Sequence, residues 1–254
     1  MSVASKPRKG RPTIEGRVIR VAAAISLFSF VREHGVDAEA LVAESGLPRE
    51  AFAHPDNVIP LVALGRLFAR AAELTGLPYI GLAVGSRMTF DSLGLVGYLL
   101  ANADTVGGGL ETLTRFLHVN TNAVVPYLLR EDTVAVLGYE PFGIGYAGGD
   151  QLMSGALAIL TNALRKLCGT DFKLRAVTLA YGSPADQRPF RRFFRAPVSF
   201  DDARSAIAFD AAWLAWPIAG ADPVLRRLIE RHIRALKPPH HMPLRIFLFN
   251  PRFS

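Results

Sequence analysis

The stretch "AVVPYLLREDTVAVLGYE", residues 123–140, is where the chain changes period. Its two apolar, β-branched runs flank Glu131-Asp132, the pattern of two antiparallel strands joined by a short turn. Upstream, apolar residues recur at helical spacing instead. Helices are expected from about Arg17 to His34, stopped by Gly35, and over Ala38–Glu44, capped by Asp37. A short helical turn follows at Pro48–Phe52. The next helix, Ile59–Thr75, carries Leu61, Leu64, Leu67, Phe68, Ala71 and Leu74 on one stripe. Tyr79–Val84, Leu93–Asn102 and the residues from Thr105 to Val119 complete the helical half. Downstream, a long helix is expected over Gly149–Leu167, with Leu152, Ala156, Ile159, Leu160, Ala163 and Leu164 inward. Then come a strand at Arg175–Tyr181, a helix in "PADQRPFRRFF" (184–194), and short strands in "APVSF" (196–200) and "SAIAF" (205–209). A helical turn at Asp210–Trp216 precedes a final amphipathic helix over 221–236, with Pro223 near its start, where a missing N–H costs nothing. The expected class is α+β: an N-terminal helical layer, then a small, mostly antiparallel sheet packed with helices.

The chain has 254 residues, half of them hydrophobic, enough for a substantial core. The apolar run Val21–Val31 is shorter than the ~20 residues a membrane span needs. Arg32, Glu33 and His34 follow it where a signal peptide would have small residues. One cysteine, Cys168, excludes an internal disulfide framework and a cysteine-based zinc site, and points to the cytoplasm. The net charge of +7 is concentrated at the two ends. Residues 1–20 hold Lys6, Arg8, Lys9, Arg11, Arg17 and Arg20 against Glu15; residues 237–254 hold Lys237, Arg245 and Arg252 with no acid. The body, 21–236, is close to neutral. The N-terminal segment is expected to be a disordered basic tail, with weak, sequence-blind phosphate contact as the alternative.

No nucleophile elbow, Walker loop, dinucleotide fingerprint or zincin motif occurs. "VGGGLETL" (106–113) lies between two helices with no strand feeding it, so it reads as a tight turn and helix start. His232, His240 and His241 have no spaced carboxylate to complete a metal site. No cofactor and no metal are expected. "ALVAESGLPREAF" (40–52) has a helix-turn-helix look. Its second helix is two turns at most, and Glu44 and Glu50 would face phosphate, so DNA reading is not expected there.

Several stretches carry a resemblance. "GVDAEALVAESGL" (35–47), "IPLVALGRLFARAAELTGLPYIGLAVG" (59–85) and "LGLVGYLLANADTVGGGLETLTRFLHV" (93–119) come first. The segment 177–229 follows, with its F-x-x-F-F helix, P-V-x-F strand and A-D-P-x-L helix start. In that order, over roughly residues 21–236, they resemble the N-terminal effector domain of AraC/XylS-type transcription regulators. The resemblance implies a domain over 21–236 that senses a small molecule, dimerises, and signals to a C-terminal helix-turn-helix domain. Only "KPPHHMPLRIFLFNPRFS" (237–254) follows here, an irregular tail, so contact with DNA would run through a domain expected to be absent. No membrane partner is implied. A ligand pocket is expected between the sheet of 123–140 and 175–181 and the helices packed on it. Tyr98, His118, Tyr127 and Tyr139, polar-tipped residues in apolar segments, are the candidates to orient a ligand; each also reads as an ordinary packed residue. The rival readings are an enzyme of unrecognised type and a pure interaction module. A cavity in the folded domain favours sensing; a solid core with a large exposed apolar patch favours interaction.

Overall fold

The computed structural model describes residues 14, 16–141 and 145–236. The segments 1–13 and 237–254, with His240 and His241, lie outside them. Nine α-helices and seven strands occur among the described residues, and the class is α+β as the period change implies. The hairpin forms as β3 (Val124–Glu131) and β4 (Val134–Pro141), paired in full register from Val124–Pro141 to Glu131–Val134. Asp132 makes the turn at a positive φ of 48°, a conformation that aspartate tolerates better than most residues. β5 (Leu174–Thr178), β6 (Val198–Ser199) and β7 (Ser205–Asp210) complete a five-stranded sheet in the order β3-β4-β7-β5-β6. All its pairings are antiparallel except β5 with β6.

The helical half holds α1 (Ala22–Glu33), α2 (Ala38–Glu44), α3 (Leu61–Thr75) and α4 (Ile80–Gly85). Asp37 caps α2 by accepting from the Glu39 N–H at 2.8 Å. The expected stripe of α3 is buried except at Leu74, which is 42% exposed beyond the reach of α1 and α7. These helices close on Leu27, Phe30, Leu41, Leu64, Leu67 and Phe68, one of two hydrophobic clusters. The second cluster is larger. It covers the sheet with α5 (Leu95–Ala101), α6 (Val106–Phe116), α8 (Arg188–Phe194) and α9 (Pro223–Ala235).

The long helix α7 (Gly149–Cys168) runs between the two clusters and belongs to both. Leu157, Leu160 and Leu164 enter the sheet cluster, while Leu152 and Ile159 pack against the helical one. Its contact with α4 is backbone on backbone. A Cβ on Gly81 would stand 2.6 Å from the Cα of Gln151 and closer still to its carbonyl oxygen. Only glycine lets the helices meet at that distance.

Three expectations fail locally. Arg17–Val21 does not open a helix: β1 (Val18–Arg20) pairs antiparallel with β2 (Val58–Pro60), and the helix starts at Ala22. Val18 and Ile19 are β-branched, and the Asn122 side chain accepts from the Val18 N–H at 2.7 Å, so partners distant in sequence override the local helical pattern. The helix expected at Ile59 starts at Leu61 because Ile59 and Pro60 belong to that ribbon. Likewise, residues 184–187 are not helical, and α8 is confined to Arg188–Phe194.

Candidate functional site

Where the two clusters meet, the packing leaves a cavity of about 160 Å³. Its walls come from β1 and the start of α1, from α3 and α4, from α7, and from the adjoining ends of β3 and β4. Leu64, Phe68, Val84, Met88, Leu152 and Ile159 give it an apolar surface. Leu152, Ala156 and Ile159 follow one another at i, i+4 and i+7 on α7. The sequence pattern places them on an inner face, and they are inward. They stay only partly buried because the space they face is not filled.

The polar groups on the wall are nearly all engaged. Gln151 is buried: its Oε1 accepts from the Gly81 N–H at 2.9 Å, and its Nε2 donates to the Pro78 carbonyl at 2.9 Å and to Asp150 at 2.8 Å. Asn120 Nδ2 donates to the Leu93 carbonyl at 2.9 Å, and Thr121 Oγ1 donates to the Val18 carbonyl at 2.8 Å. Ser92 Oγ donates to the Thr89 carbonyl at 2.6 Å. Arg20 is the one charged residue among those lining the cavity. Its side chain is 11% exposed, ion-paired to Asp56 and within 3.5 Å of Asn120 Oδ1, so its charge is already matched.

Tyr139 differs from these. It is 4% exposed, on the wall, and its hydroxyl makes no hydrogen bond. Among the described residues no fully enclosed side-chain oxygen or nitrogen lacks a partner, so the Tyr139 hydroxyl must border open space, and the space it lines is this cavity. Burial raises its pKa well above the ordinary phenol range, keeping it a neutral donor. Tyr146 also lines the cavity, partly exposed, with its ring over Gly65 and Gly149 and no hydrogen bond from its hydroxyl. Burial, with Asp150 nearby, pushes its pKa up to about 12.

The other three candidates lie elsewhere. Tyr98 is 47% exposed on α5. His118 Nδ1 sits 3.0 Å from the Arg115 carbonyl at the end of α6, a local contact. Tyr127 lies across Gly138 on the other face of the hairpin, with the Arg204 guanidinium 5.7 Å from its ring centre, beside an open groove lined by Gly107, Glu111 and Leu214. The cavity also lies at one end of the sheet, not across it: no residue of 175–181 lines it. Met88 and Gln151 went unnoticed in the sequence, because nothing in their own neighbourhoods marks a shared wall; Arg20, counted there with the basic N-terminal tail, lies in β1 on the wall.

Other sequence features resolve as structure. The glycines of "VGGGLETL" open α6, and Thr105 Oγ1 caps them by accepting from the Gly108 N–H at 3.2 Å. In Ala40–Phe52, α2 is followed by a single 3₁₀ turn, Arg49–Phe52, with Arg49 ion-paired to Glu39 at 2.7 Å. That is no recognition helix. Cys168 is buried at the end of α7, and burial pushes its thiol up to about 12. Among the described residues there is no group of three His, Cys, Asp or Glu placed to hold a metal. No described helix is long and apolar enough to cross a membrane.

Comparison with known proteins gives a consistent picture. Residues 35–218 match the family described as the arabinose-binding domain of AraC transcription regulators, N-terminal part. The ornithine utilization regulator of Pseudomonas aeruginosa is 25% identical over 220 residues, covering 86% of this chain and 65% of that protein. The HTH-type transcriptional regulator VirS of Mycobacterium tuberculosis is 23% identical over 224 residues, covering 87% of this chain and 65% of its own length. The chain thus spans just under two thirds of these relatives. The crystal structure of the transcriptional regulator CdpR from Pseudomonas aeruginosa matches with a TM-score of 0.58 at 17% identity, over 80% of this chain and 61% of that one, which supports the fold. The chain belongs to the arabinose-binding domain family that forms the N-terminal part of AraC transcription regulators.

Proposed function

We propose that the chain is the effector-sensing part of a transcription regulator, and that the cavity between α1, α3, α4, α7 and the hairpin holds the effector. The observation that carries this is the unpartnered Tyr139 hydroxyl on the wall of a mostly apolar cavity whose other polar groups, Tyr146 apart, are already engaged. A solid core would have closed this space, and a satisfied tyrosine would have offered nothing to a ligand. Occupancy would join the helical cluster to the sheet cluster and so favour the conformation in which they are docked. The route outward runs through Leu93, on the wall, to α5, against which α9 packs with Ile229 and Ile233 buried. Asn102, just beyond α5, accepts from the Asp222 N–H at the start of α9 at 2.9 Å. The likeness to transcription regulators, one of them HTH-type, supports transcription as the process controlled, with DNA contact through a helix-turn-helix part.

A second contribution comes from α9, where Val224, Leu225 and Leu228 are exposed on a helix whose other face is buried. We propose this face for the homodimer contact that the family resemblance implies, with the oligomeric state of the chain as its test.

The test is a compound screen read by thermal unfolding of the chain and of Ala156→Leu, which fills the cavity. Binding at one hundred times Kd stabilises by about 2.7 kcal/mol. That should raise the Tm by roughly 5–10 °C for a domain of this size. The expected result is a compound that shifts the chain and leaves Ala156→Leu unmoved. Compounds that shift both equally, or no compound that shifts the chain, would overturn the reading.

A further inference from the structure

We infer that the effector is a compact apolar molecule of about benzene size carrying a single hydrogen-bonding group, and that it is not a sugar; this rests on the sensing role proposed above. Size is the first argument. The cavity is partly open, and its volume of about 160 Å³ is close to the ~150 Å³ of an engineered apolar cavity that takes benzene, so a ring of that size fits. Wall chemistry is the second. Gln151, Asn120, Thr121 and Ser92 already spend their side chains on backbone groups, and Arg20 on Asp56 and Asn120. One nearly buried group that borders the cavity is left to answer a ligand, the Tyr139 hydroxyl, with the Tyr146 hydroxyl as a more exposed neighbour.

A pentose carries four hydroxyls and a ring oxygen. Placed here, most of them would face Leu64, Phe68, Val84, Met88, Leu152 and Ile159. Each buried hydroxyl without a partner weakens binding by roughly tenfold or more. A diamino acid does no better, because no Asp or Glu lines the cavity to match an ammonium group. A phenol-like molecule meets both conditions: its ring fills the apolar space, and its one polar group pairs with Tyr139.

The experiment is calorimetric titration of the chain with phenol, toluene, L-arabinose and L-ornithine, repeated on Tyr139→Phe. Phenol and toluene are expected to bind the chain, and L-arabinose and L-ornithine are not. In Tyr139→Phe, phenol should weaken by roughly three- to tenfold, the worth of one hydrogen bond, while toluene stays unchanged and so reports an intact cavity. If L-arabinose or L-ornithine binds and the two aromatic probes do not, the apolar class is overturned and the sensing role stands. If phenol weakens no more than toluene in Tyr139→Phe, the role given to the hydroxyl is overturned. If neither aromatic probe binds, the apolar class falls, and the compound screen decides the sensing role on its own.

Discussion

Gly81→Ala should destabilise the protein strongly, and Gly155→Ala should not, although both glycines lie in the α4–α7 contact. A Cβ on Gly81 would overlap the Gln151 carbonyl oxygen and stand 2.6 Å from Gln151 Cα, whereas ordinary contact begins at 3.4 Å, so the helices must part by well over 0.8 Å. The opposing atoms are backbone and cannot rotate away. A Cβ on Gly155 would stand 3.0 Å from the Gly81 carbonyl oxygen and needs less than half that displacement. Overpacking of this kind costs ~1–3 kcal/mol, and more when backbone opposes backbone. Alanine returns at most ~1 kcal/mol of helix propensity. Parting the helices also stretches the bond from the Gly81 N–H to Gln151 Oε1, now 2.9 Å. The net expectation is a loss of about 2–3 kcal/mol for Gly81→Ala and close to zero for Gly155→Ala. At ~2–4 °C per kcal/mol, Gly81→Ala should lower the Tm by roughly 5–10 °C. Urea unfolding followed by circular dichroism gives the same comparison with the m-value as a check. Equal stabilities for the two variants would refute the reasoning, because they would mean that α4 and α7 do not meet on backbone.

Two more expectations follow from buried groups. Gln151→Leu removes the partners of the Gly81 N–H and the Pro78 carbonyl, and should cost about 2–4 kcal/mol in urea unfolding at unchanged m-value; a neutral result would contradict the bonding described. Folding holds Cys168 and Tyr146 protonated up to about pH 12, and burial raises Tyr139 and Tyr181 in the same direction. In the unfolded chain a thiol ionises near ~8.5 and a phenol near ~10. Their contribution is therefore intact below about pH 8 and is lost as pH rises through roughly 9 to 12. The urea midpoint should fall steadily over that window, and Cys168 should resist iodoacetamide at pH 8 until the chain unfolds; rapid native alkylation would contradict its burial.

Elements that declare themselves locally were legible in the sequence. The hairpin shows its apolar, β-branched runs and its turn, which falls at Asp132-Thr133, one residue beyond the expected Glu131-Asp132; α7 shows a long apolar stripe, and α9 an amphipathic pattern with Pro223 at its start. The β1–β2 ribbon was not legible. Val18 and Ile19 suit a helix as well as a strand, and what decides is pairing with Val58–Pro60 and the Asn122 side chain. The cavity posed the same difficulty. Its wall draws on segments from Ile19 to Ile159, and a stripe such as Leu152, Ala156 and Ile159 reads alike whether it meets side chains or empty space. Selecting polar-tipped residues in apolar segments gathered Tyr139 together with Tyr98, His118 and Tyr127. That rule cannot tell which side of an element faces the seam. Tyr139 shares its face of β4 with Ala135 and Leu137, both fully buried, whereas Tyr98 falls on the outer face of α5.

The central claim is that a ligand enters the seam between the two clusters. Amide chemical shifts of isotope-labelled chain during a phenol titration test it most directly, because glycines mark both candidate places. The account predicts saturable shifts at Gly81, Gly85 and Gly155 on the cavity wall, with Gly107 and Gly108 at the open groove unmoved. Saturable shifts confined to Gly107 and Gly108, with the wall glycines unmoved, would contradict it.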